Sequence, residues 1–284
     1  MMTFERFIIA SIGAATTTLL LLAVVLPVNR TTYVPKAVFL SPDAVPEITS
    51  LEKSLPVDMR QIRTAKERKK VFLLSVLPLI LRVNDEIWAE RKKLIKLKKL
   101  VNNRVKLSAE DRLWLAVMEN RYKVTRGDLG ALELGMDIIP PSLALAQAAE
   151  ESGWGTSRFV VEGNALFGQW TDSSKGGLIP LGRVINSNYR IKAFRSLLDG
   201  VRAYARNLNT HKAYRSFRTG RSELRRLGLI LSGQKLSFHL SPYSERGENY
   251  TRSLQKIIKS NSLEKLDGLR LGDRSLRVIQ RIIS

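Results

Sequence analysis

Two adjacent glutamates, Glu150 and Glu151, end an alanine-rich stretch and are followed by Ser-Gly-Trp-Gly. On a helix ending near Ser152 their side chains would point roughly 100° apart, so they cannot act as a facing pair. The last helical turn lies near the negative end of the helix dipole, which disfavours ionisation of a carboxyl group. Nearby Trp154 and Phe159 would exclude water and favour the neutral acid further. This setting is typical of a general acid for a glycosidic oxygen. The alternative is two solvated glutamates at an ordinary helix end.

The surrounding sequence predicts the elements that hold these carboxylates. Pro140-Pro141-Ser142 starts the helix and Gly153 ends it. Residues 171–194 contain three glycines and the alternating segment NYRIKAF, which predict a small β-hairpin lobe. Helical periods return over residues 196–209 and again after SPYSERGENY, where Leu254, Ile257 and Ile258 face inward. We therefore expect an α+β fold that is predominantly α.

Residues 61–135 are predicted to form basic helices ahead of this region. Residues 71–81, VFLLSVLPLIL, are too short to span a membrane and contain Pro78, so we expect a buried or kinked helix. Residues 84–105 place an apolar stripe opposite lysines. That pattern is typical of a packed helix with a solvated face, or of a helix lying on anionic lipid. Ser108 and Asp111 have the spacing of a capping box.

The composition restricts the partners of the protein. The 284 residues include 47 Lys and Arg against 26 Asp and Glu, a formal net charge of +21. Such a charge suits anionic surroundings: nucleic acid, a phospholipid surface or an acidic polymer. The sequence contains no cysteine, which excludes disulfides and thiolate metal sites. His211 and His239 are far apart in sequence, so no histidine-based metal site is expected.

The amino-terminal segment predicts the location of the chain. Residues 7–28 carry no charge and are long enough for the hydrocarbon core of a bilayer. We expect a single-pass anchor within segment 1–28, followed by a proline-rich linker at 29–60; a cleaved signal peptide is the alternative. A first apolar segment ahead of a long domain usually exports that domain, which predicts an inner-membrane protein with its catalytic domain in the periplasm.

The stretch AQAAEESGWGTSRFVVEGNALFGQW resembles the signature of the bacterial cell-wall glucosaminidases, glycoside hydrolase family 73. PPSLALAQAAEESGWG, RNLNTHKAYR and YSERGENY are similar to the Bax-type branch of that family. The resemblance covers roughly residues 60–261. It implies a lysozyme-like glucosaminidase domain at 136–261, followed by a basic carboxy-terminal tail at 262–284. It also implies hydrolysis of β-1,4 glycosidic bonds in peptidoglycan with no metal or other cofactor.

By this resemblance Glu151, directly before Ser-Gly-Trp-Gly, takes the position of the catalytic acid, and Glu150 does not. Tyr243, which opens YSERGENY, matches a tyrosine on the floor of the family's active site. Tyr250 faces the same region or packs on its helix.

Three other motif residues have two readings each. Trp154 and Phe167 would wall the cleft and stack on sugar faces, or else belong to the core. Asn164 would hold the turn that enters Leu-Phe-Gly, or bind an acetamido group of the substrate.

The family's second carboxylate, which activates water or steadies the transition state, has no clear match. Between residues 171 and 194 the only acid is Asp172. Three possibilities follow. Asp172 acts as the second carboxylate, the substrate's own acetamido group attacks the sugar carbon, or the protein binds glycan without turnover. If neither of the first two holds, Glu245 is the next acid to consider.

Competing functions differ in what they require. A wall-binding or scaffold protein would use the same cleft without catalysis. A nucleic-acid-binding protein would need a platform of aromatic and basic residues, which the sequence does not show, and this function disagrees with export of the domain. Cleavage of the amide bond between muramic acid and peptide would normally require zinc, for which there is no histidine-rich site. The expected partners are peptidoglycan strands and the anionic membrane surface.

Overall fold

The computed structural model describes residues 52–172, 177–180 and 189–271. The predicted anchor, most of the linker and most of the tail lie outside these residues. In the described part of the chain, no helix combines the length and the apolar character needed to cross a bilayer. The helices are α1 (Ala65–Asn102), α2 (Ala109–Tyr122), α3 (Leu129–Gly135), α4 (Pro141–Ser152), α5 (Arg158–Gly163), α6 (Leu197–Thr210), α7 (Arg215–Arg226), α8 (Gly233–Leu236) and α9 (Glu248–Ser260). Short 3₁₀ turns occupy Met59–Gln61, Lys212–Tyr214, Ser237–Tyr243 and Leu263–Leu266.

The two helical segments predicted at 71–81 and 84–105 form one helix, α1, of 38 residues. It continues through Pro78, which lacks a backbone N–H and is itself buried. The first half is apolar nearly all round and lies in the main core. The second half buries Leu94 and Leu97 against α2 and α3 and leaves Val101 exposed. This is the arrangement of a packed helix with a solvated face.

Helix α4 lies at the centre of the main core. Its residues from Pro141 to Ala149 are all buried, as expected for a helix that is apolar on every side. It packs against α1, α8, α9 and the Leu263–Leu266 turn. The described beginning of the predicted tail is therefore a 3₁₀ turn that joins this core, with Leu263 and Leu266 buried.

The sheet consists of two antiparallel strands, β1 (Trp170–Asp172) and β2 (Tyr189–Ile191). Trp170 pairs with Ile191 and Asp172 pairs with Tyr189. Leu178 forms an additional bridge to Ile191. The predicted fold, mainly helical with a small two-stranded lobe, is confirmed.

A buried ion network fixes the loop that enters α4. Arg221 on α7 is 1% exposed and donates hydrogen bonds to the backbone oxygens of residues 134, 135, 137 and 138 and to Asn209. Burial lowers the pKa of Arg221 to about 10. The carboxylate of Asp137 is 2.9 Å from Arg225 and 3.8 Å from Arg91. Burial opposes ionisation of Asp137, but the surrounding arginines, led by Arg221, outweigh burial and lower its pKa.

We predict that Arg221→Met strongly destabilises the fold, because it leaves four carbonyls between residues 134 and 138 without this donor and Asp137 with less countercharge. The expected loss in free energy of unfolding is about 3–5 kcal/mol, measured by urea denaturation at pH 7. Arg226→Met is the matched control on the same helix, since Arg226 is exposed and pairs with exposed Glu223. Similar stability of the two variants would contradict a central role for Arg221.

Candidate active site

The segment Ser152-Gly153-Trp154-Gly155 is the carboxy-terminal stop of α4. Gly153 and Trp154 both have left-handed backbone, with φ of 56° and 58°, and the Trp154 amide bonds to the Ala149 oxygen at 2.9 Å. The Ser152 hydroxyl oxygen accepts a hydrogen bond from the Gly155 amide at 2.9 Å. A side chain at Gly155 would lie within 2.9 Å of carbons of Met59 and Leu55. The motif therefore turns the chain sharply just after the two glutamates.

The two glutamates lie in different environments. Glu150 forms an ion pair with Arg246 at 2.5 Å. Glu151 is more deeply enclosed, and burial raises its pKa to about 6, while a hydrogen bond with Tyr250 opposes the rise. Gly168 has φ of 56°, and a β-carbon there would lie 3.2 Å from the Glu151 carboxylate. The Leu-Phe-Gly turn thus packs directly against Glu151, and a side chain at Gly168 would crowd it.

A chain of hydrogen bonds leads from the core to Glu151. The Tyr204 hydroxyl donates to Gln147 Oε1 at 2.7 Å, and Gln147 Nε2 donates to the Tyr250 oxygen at 2.9 Å. The Tyr250 O–H then remains to donate to the Glu151 carboxylate, in keeping with its lowering effect on the pKa. Gln147 and Tyr204 are both buried. Tyr204 fixes the orientation of the Gln147 amide, and the Gln147 N–H occupies the Tyr250 oxygen as acceptor. These two bonds direct the Tyr250 O–H towards Glu151.

Aromatic rings build the floor of the site. Tyr243 stacks on Tyr250 with ring centroids 5.6 Å apart and donates to the Phe167 backbone oxygen at 2.9 Å. Phe167 stacks on Tyr204 with centroids 3.8 Å apart. These contacts bring together three of the residues predicted from sequence, Tyr243, Tyr250 and Phe167, around Glu151.

A cleft of 770 Å³ opens beside Glu151. Its walls come from the end of α4, the Leu-Phe-Gly turn, the hairpin, α6 and the segment 243–246. Trp170 lines it with half of its side chain exposed. The acids among the described residues that line the cleft are Glu151 and Glu245. No group of three or more metal-ligating side chains occurs in the described part of the chain.

Four predicted site residues do not line this cleft: Trp154, Asn164, Asp172 and Tyr250, the last of which is 1% exposed beneath the site. The Trp154 ring packs edge-on against Phe72 at 5.7 Å, with the Lys69 ammonium 4.9 Å from its centroid. Asn164 has left-handed backbone at the end of α5 and donates to the Phe194 oxygen at 3.2 Å, so it holds the turn that leads to Leu-Phe-Gly. Asp172 lies at the end of β1, is exposed and is not among the lining residues.

Sequence reasoning missed Gln147, Tyr204 and Trp170. Gln147 is a polar residue in an otherwise apolar part of α4, and nothing in the sequence indicates its partners. Tyr204, which bonds to Gln147, lies 57 residues further along the chain. Trp170 was within the quoted motif, at the end of Leu-Phe-Gly-Gln-Trp, and its exposed ring at the cleft makes it a better sugar-stacking surface than Trp154.

Comparison with known proteins places these elements in a family. The glucosaminidase profile, described as mannosyl-glycoprotein endo-beta-N-acetylglucosaminidase, matches residues 132–263. The chain is 36% identical over 217 residues to Protein bax of Escherichia coli (strain K12), an alignment that covers 73% of this chain and 74% of that protein. No solved structure matches the chain. The profile match contains α4, the Leu-Phe-Gly turn and the tyrosines of the floor.

The raised pKa of Glu151 predicts a pH-dependent effect of Glu151→Gln on stability. Because folding raises this pKa, ionised Glu151 costs stability, and the cost grows as pH rises from the ordinary 4.5 through about 6. Glutamine cannot ionise and avoids that cost. Relative to the wild type, the variant should therefore gain up to about 2 kcal/mol in free energy of unfolding between pH 4 and pH 8.

Urea denaturation at the two pH values measures this gain, and the comparison across pH cancels any constant effect of the substitution. Glu150→Gln is the control, since Glu150 is paired with Arg246 at the surface. An equal gain in both variants would show that Glu151 has no special environment.

Proposed function

The chain belongs to the glucosaminidase family, and from this premise we propose that it hydrolyses β-1,4 glycosidic bonds of peptidoglycan with Glu151 as general acid. We further propose that it belongs to glycoside hydrolase family 73 and to its Bax-type branch, with a lysozyme-like catalytic domain. Family membership supports a glycan hydrolase, and the resemblance of the sequence motifs to cell-wall enzymes supports peptidoglycan as the glycan.

The observation that carries the proposal is the environment of Glu151. Its carboxyl group faces a cleft, has a pKa of about 6 because it is buried, and receives the Tyr250 hydroxyl. Below that pH it holds the proton that the departing sugar oxygen requires. After transfer, the Tyr250 O–H stabilises the new carboxylate, since a hydrogen bond to an ionised oxygen is stronger than one to a neutral acid.

The remaining residues divide between substrate contact and support. We assign Trp170 and Tyr243 to the cleft walls, where flat rings suit the apolar faces of sugars, and Phe167, which is 2% exposed and stacks on Tyr204, to the core beneath the cleft. Tyr250 orients the proton on Glu151. We assign Trp154 and Asn164 to the backbone turns that flank the site, because their contacts are with Phe72 and with the Phe194 carbonyl.

We predict that Glu151→Gln lowers peptidoglycan hydrolysis by roughly a hundredfold or more, since glutamine keeps the shape of the side chain and lacks a transferable proton. Glu150→Gln should have a far smaller effect. Purified peptidoglycan is digested, the products are reduced, and mass spectrometry quantifies them and identifies the new reducing-end sugar.

Comparable losses in both variants, with circular dichroism unchanged, would contradict the assignment of Glu151. Wild-type protein that binds glycan and releases no product would instead support the second candidate, a non-catalytic peptidoglycan-binding or scaffold protein. The observation that favours this candidate is the absence of any hairpin carboxylate among the described residues that line the cleft.

For the attack on the sugar carbon we favour the substrate's acetamido group over Asp172, because Asp172 is not among the lining residues. The acetamido oxygen would bond to the sugar carbon as the bond to the leaving oxygen breaks, and Glu151 would protonate that oxygen. We predict that Asp172→Asn keeps most of the turnover and that a thiazoline mimic of the cyclised intermediate inhibits strongly.

Initial rates with and without the thiazoline measure both effects. Loss of turnover in Asp172→Asn with glycan binding intact would assign the role to Asp172 instead. Unchanged turnover together with no thiazoline inhibition would turn attention to Glu245, whose side chain lines the cleft.

We propose that residues 7–28 anchor the protein in the inner membrane and that the catalytic domain faces the periplasm. The charge-free apolar run supports this location. The mature protein should keep this segment and stay in the membrane fraction through an alkaline wash. A mature amino terminus near Asn29, found by mass spectrometry, would identify the segment as a cleaved signal.

A further inference from the structure

Large apolar side chains are exposed on both sides of the short helix α8. Leu227, Leu229 and Ile230 lie in the loop before it and are 52%, 46% and 69% exposed, and Phe238 lies in the turn after it and is 65% exposed. Single exposed apolar residues are common on protein surfaces, whereas three within four positions of one loop are not. We call these four residues the apolar patch.

The loop that carries most of the patch has a fixed conformation. Gly228 has left-handed backbone, with φ of 66°, and its amide bonds to the Arg225 oxygen at 3.0 Å. The Leu229 amide bonds to the Leu224 oxygen at 2.9 Å. These two bonds are those of a helix that ends at a glycine. A β-carbon at Gly228 would meet no atom within 4 Å, so the loop stands clear of the rest of the protein.

Cations surround the patch. Residues 212–240 contain one acid, Glu223, against seven lysines and arginines, of which four are exposed: Lys212, Arg215, Arg226 and Lys235. Arg215 and Lys235 line a groove of 730 Å³ between α7, α8 and the turn that contains Phe238. The lining of this groove also includes Leu224 and Leu236. The surface therefore combines exposed apolar side chains with a rim of positive charge, which we call the cationic rim.

The basic face of α1 has a simpler explanation. Lys92, Lys96 and Lys99 are exposed and share one face of that helix, and contact with water accounts for them. Contact with water does not account for the apolar patch, because exposed apolar surface costs free energy. Helix α2 exposes two apolar residues, Leu113 and Val117, which provide a comparison outside the patch.

The charge of the rim identifies the kind of partner that covers the patch. In a symmetric dimer the same surface would face itself, and the cationic rim would meet its own copy. Residues 272–284 contain three arginines and one acid, so the carboxy-terminal tail has the same sign of charge. An anionic bilayer has the opposite charge at its surface and an apolar interior below it.

The length of the chain keeps such a bilayer within reach. Segment 29–51, between the proposed anchor and the first described residue, can extend to at most about 80 Å. Resting on the anchor given under the proposed function, we propose that the apolar patch inserts into the interface of a bilayer that contains anionic phospholipid, while the cationic rim contacts the headgroups. The catalytic domain is then docked on the membrane as well as tethered to it, and docking limits how far the cleft reaches.

The absence of cysteine allows one fluorophore to be attached at a chosen position of the full chain. Labelled Ile230→Cys protein is combined with vesicles that contain nitroxide-bearing lipid, made either of phosphatidylcholine alone or of phosphatidylcholine with phosphatidylglycerol. Quenching should be strong in the anionic vesicles and weak in the neutral ones. Labelled Leu113→Cys protein is the matched control, since Leu113 is 66% exposed on α2, and its quenching should be weak in both.

Two pairs of substitutions in the labelled Ile230→Cys protein test the two parts of the surface. Leu229→Ser with Phe238→Ser should lower the ratio of docked to undocked protein roughly fivefold or more, since two apolar side chains no longer enter lipid. Arg215→Gln with Lys235→Gln should lower it roughly tenfold in anionic vesicles, since each cation near such a surface contributes about fivefold. Lys96→Gln with Lys99→Gln removes the same charge from α1, and Val117→Ser removes an apolar side chain from α2; both should leave the ratio unchanged.

Equal quenching at positions 113 and 230, no quenching at position 230 in anionic vesicles, or an equal effect of the α1 substitutions would overturn the proposal. Shielding of the label at position 230 from soluble acrylamide without quenching by lipid would also overturn it. Such shielding assigns the patch to a second copy if it grows with the ratio of protein to lipid, and to the chain's own tail if it does not.

Sedimentation with neutral vesicles tests the anchor separately. A chain that sediments with both kinds of vesicle and is not quenched at position 230 keeps the anchor and contradicts docking. A chain that sediments only with anionic vesicles and is quenched at position 230 supports docking and contradicts the anchor. Hydrolysis does not enter either readout, so the outcome is independent of the role of Glu151.

Discussion

The buried contact between Arg221 and the loop before α4 is the constraint on which the site depends. The Arg221 guanidinium, with 1% exposure, bonds to four carbonyls at the end of α3 and in the loop that follows it. Asp137 in that loop is held by Arg225, also on α7, and by Arg91 on α1. Asn84 on α1 adds a paired contact, donating to the Ile139 oxygen at 2.8 Å and accepting its amide at 3.0 Å. A loop without regular structure thereby receives partners for its backbone, as a buried loop must. Such a network specifies one arrangement because any other leaves a charge buried without its partner.

The amino terminus of α4 is fixed from a distant part of the chain. Pro140 occupies the capping position and has no side chain that can accept a hydrogen bond there. Asp267 supplies the acceptor instead, at 2.9 Å from the Ser142 amide, the Ser142 hydroxyl and the Gly233 amide. Burial raises the pKa of Asp267 to about 6, and these three hydrogen bonds oppose the rise. Contacts from distant parts of the chain therefore hold the amino end of α4, and the last turn of this buried helix carries Glu151.

The sequence was informative where local signals decide the structure. Pro140 and Gly153 bounded α4 correctly, Ser108 caps α2 by accepting the Asp111 amide, and the two strands lie at their approximate predicted place. The resemblance distinguished Glu151 from Glu150, which spacing alone could not do. Contacts between distant residues were not predictable from one sequence. The Arg221 network joins positions more than 80 residues apart, and Gln147 bonds to Tyr250 across 103 residues. For Trp154 the sequence left two alternatives open, cleft wall or core, and its contact with Phe72 agrees with the core alternative.

The different environments of two adjacent glutamates follow from helix geometry and from one hydroxyl. A rotation of 100° between consecutive residues places Glu150 towards Arg246 at the surface and Glu151 towards the tyrosines and Gly168. Burial and the end of the helix dipole favour the neutral acid at Glu151, whereas the Tyr250 hydrogen bond favours the carboxylate. Without the Tyr250 hydrogen bond the pKa of Glu151 would be higher, and without burial it would be lower. The balance near pH 6 leaves a carboxyl group that both holds and releases a proton in mildly acidic to neutral surroundings, and this balance is maintained by Gln147, whose own direction is set by Tyr204 in the core.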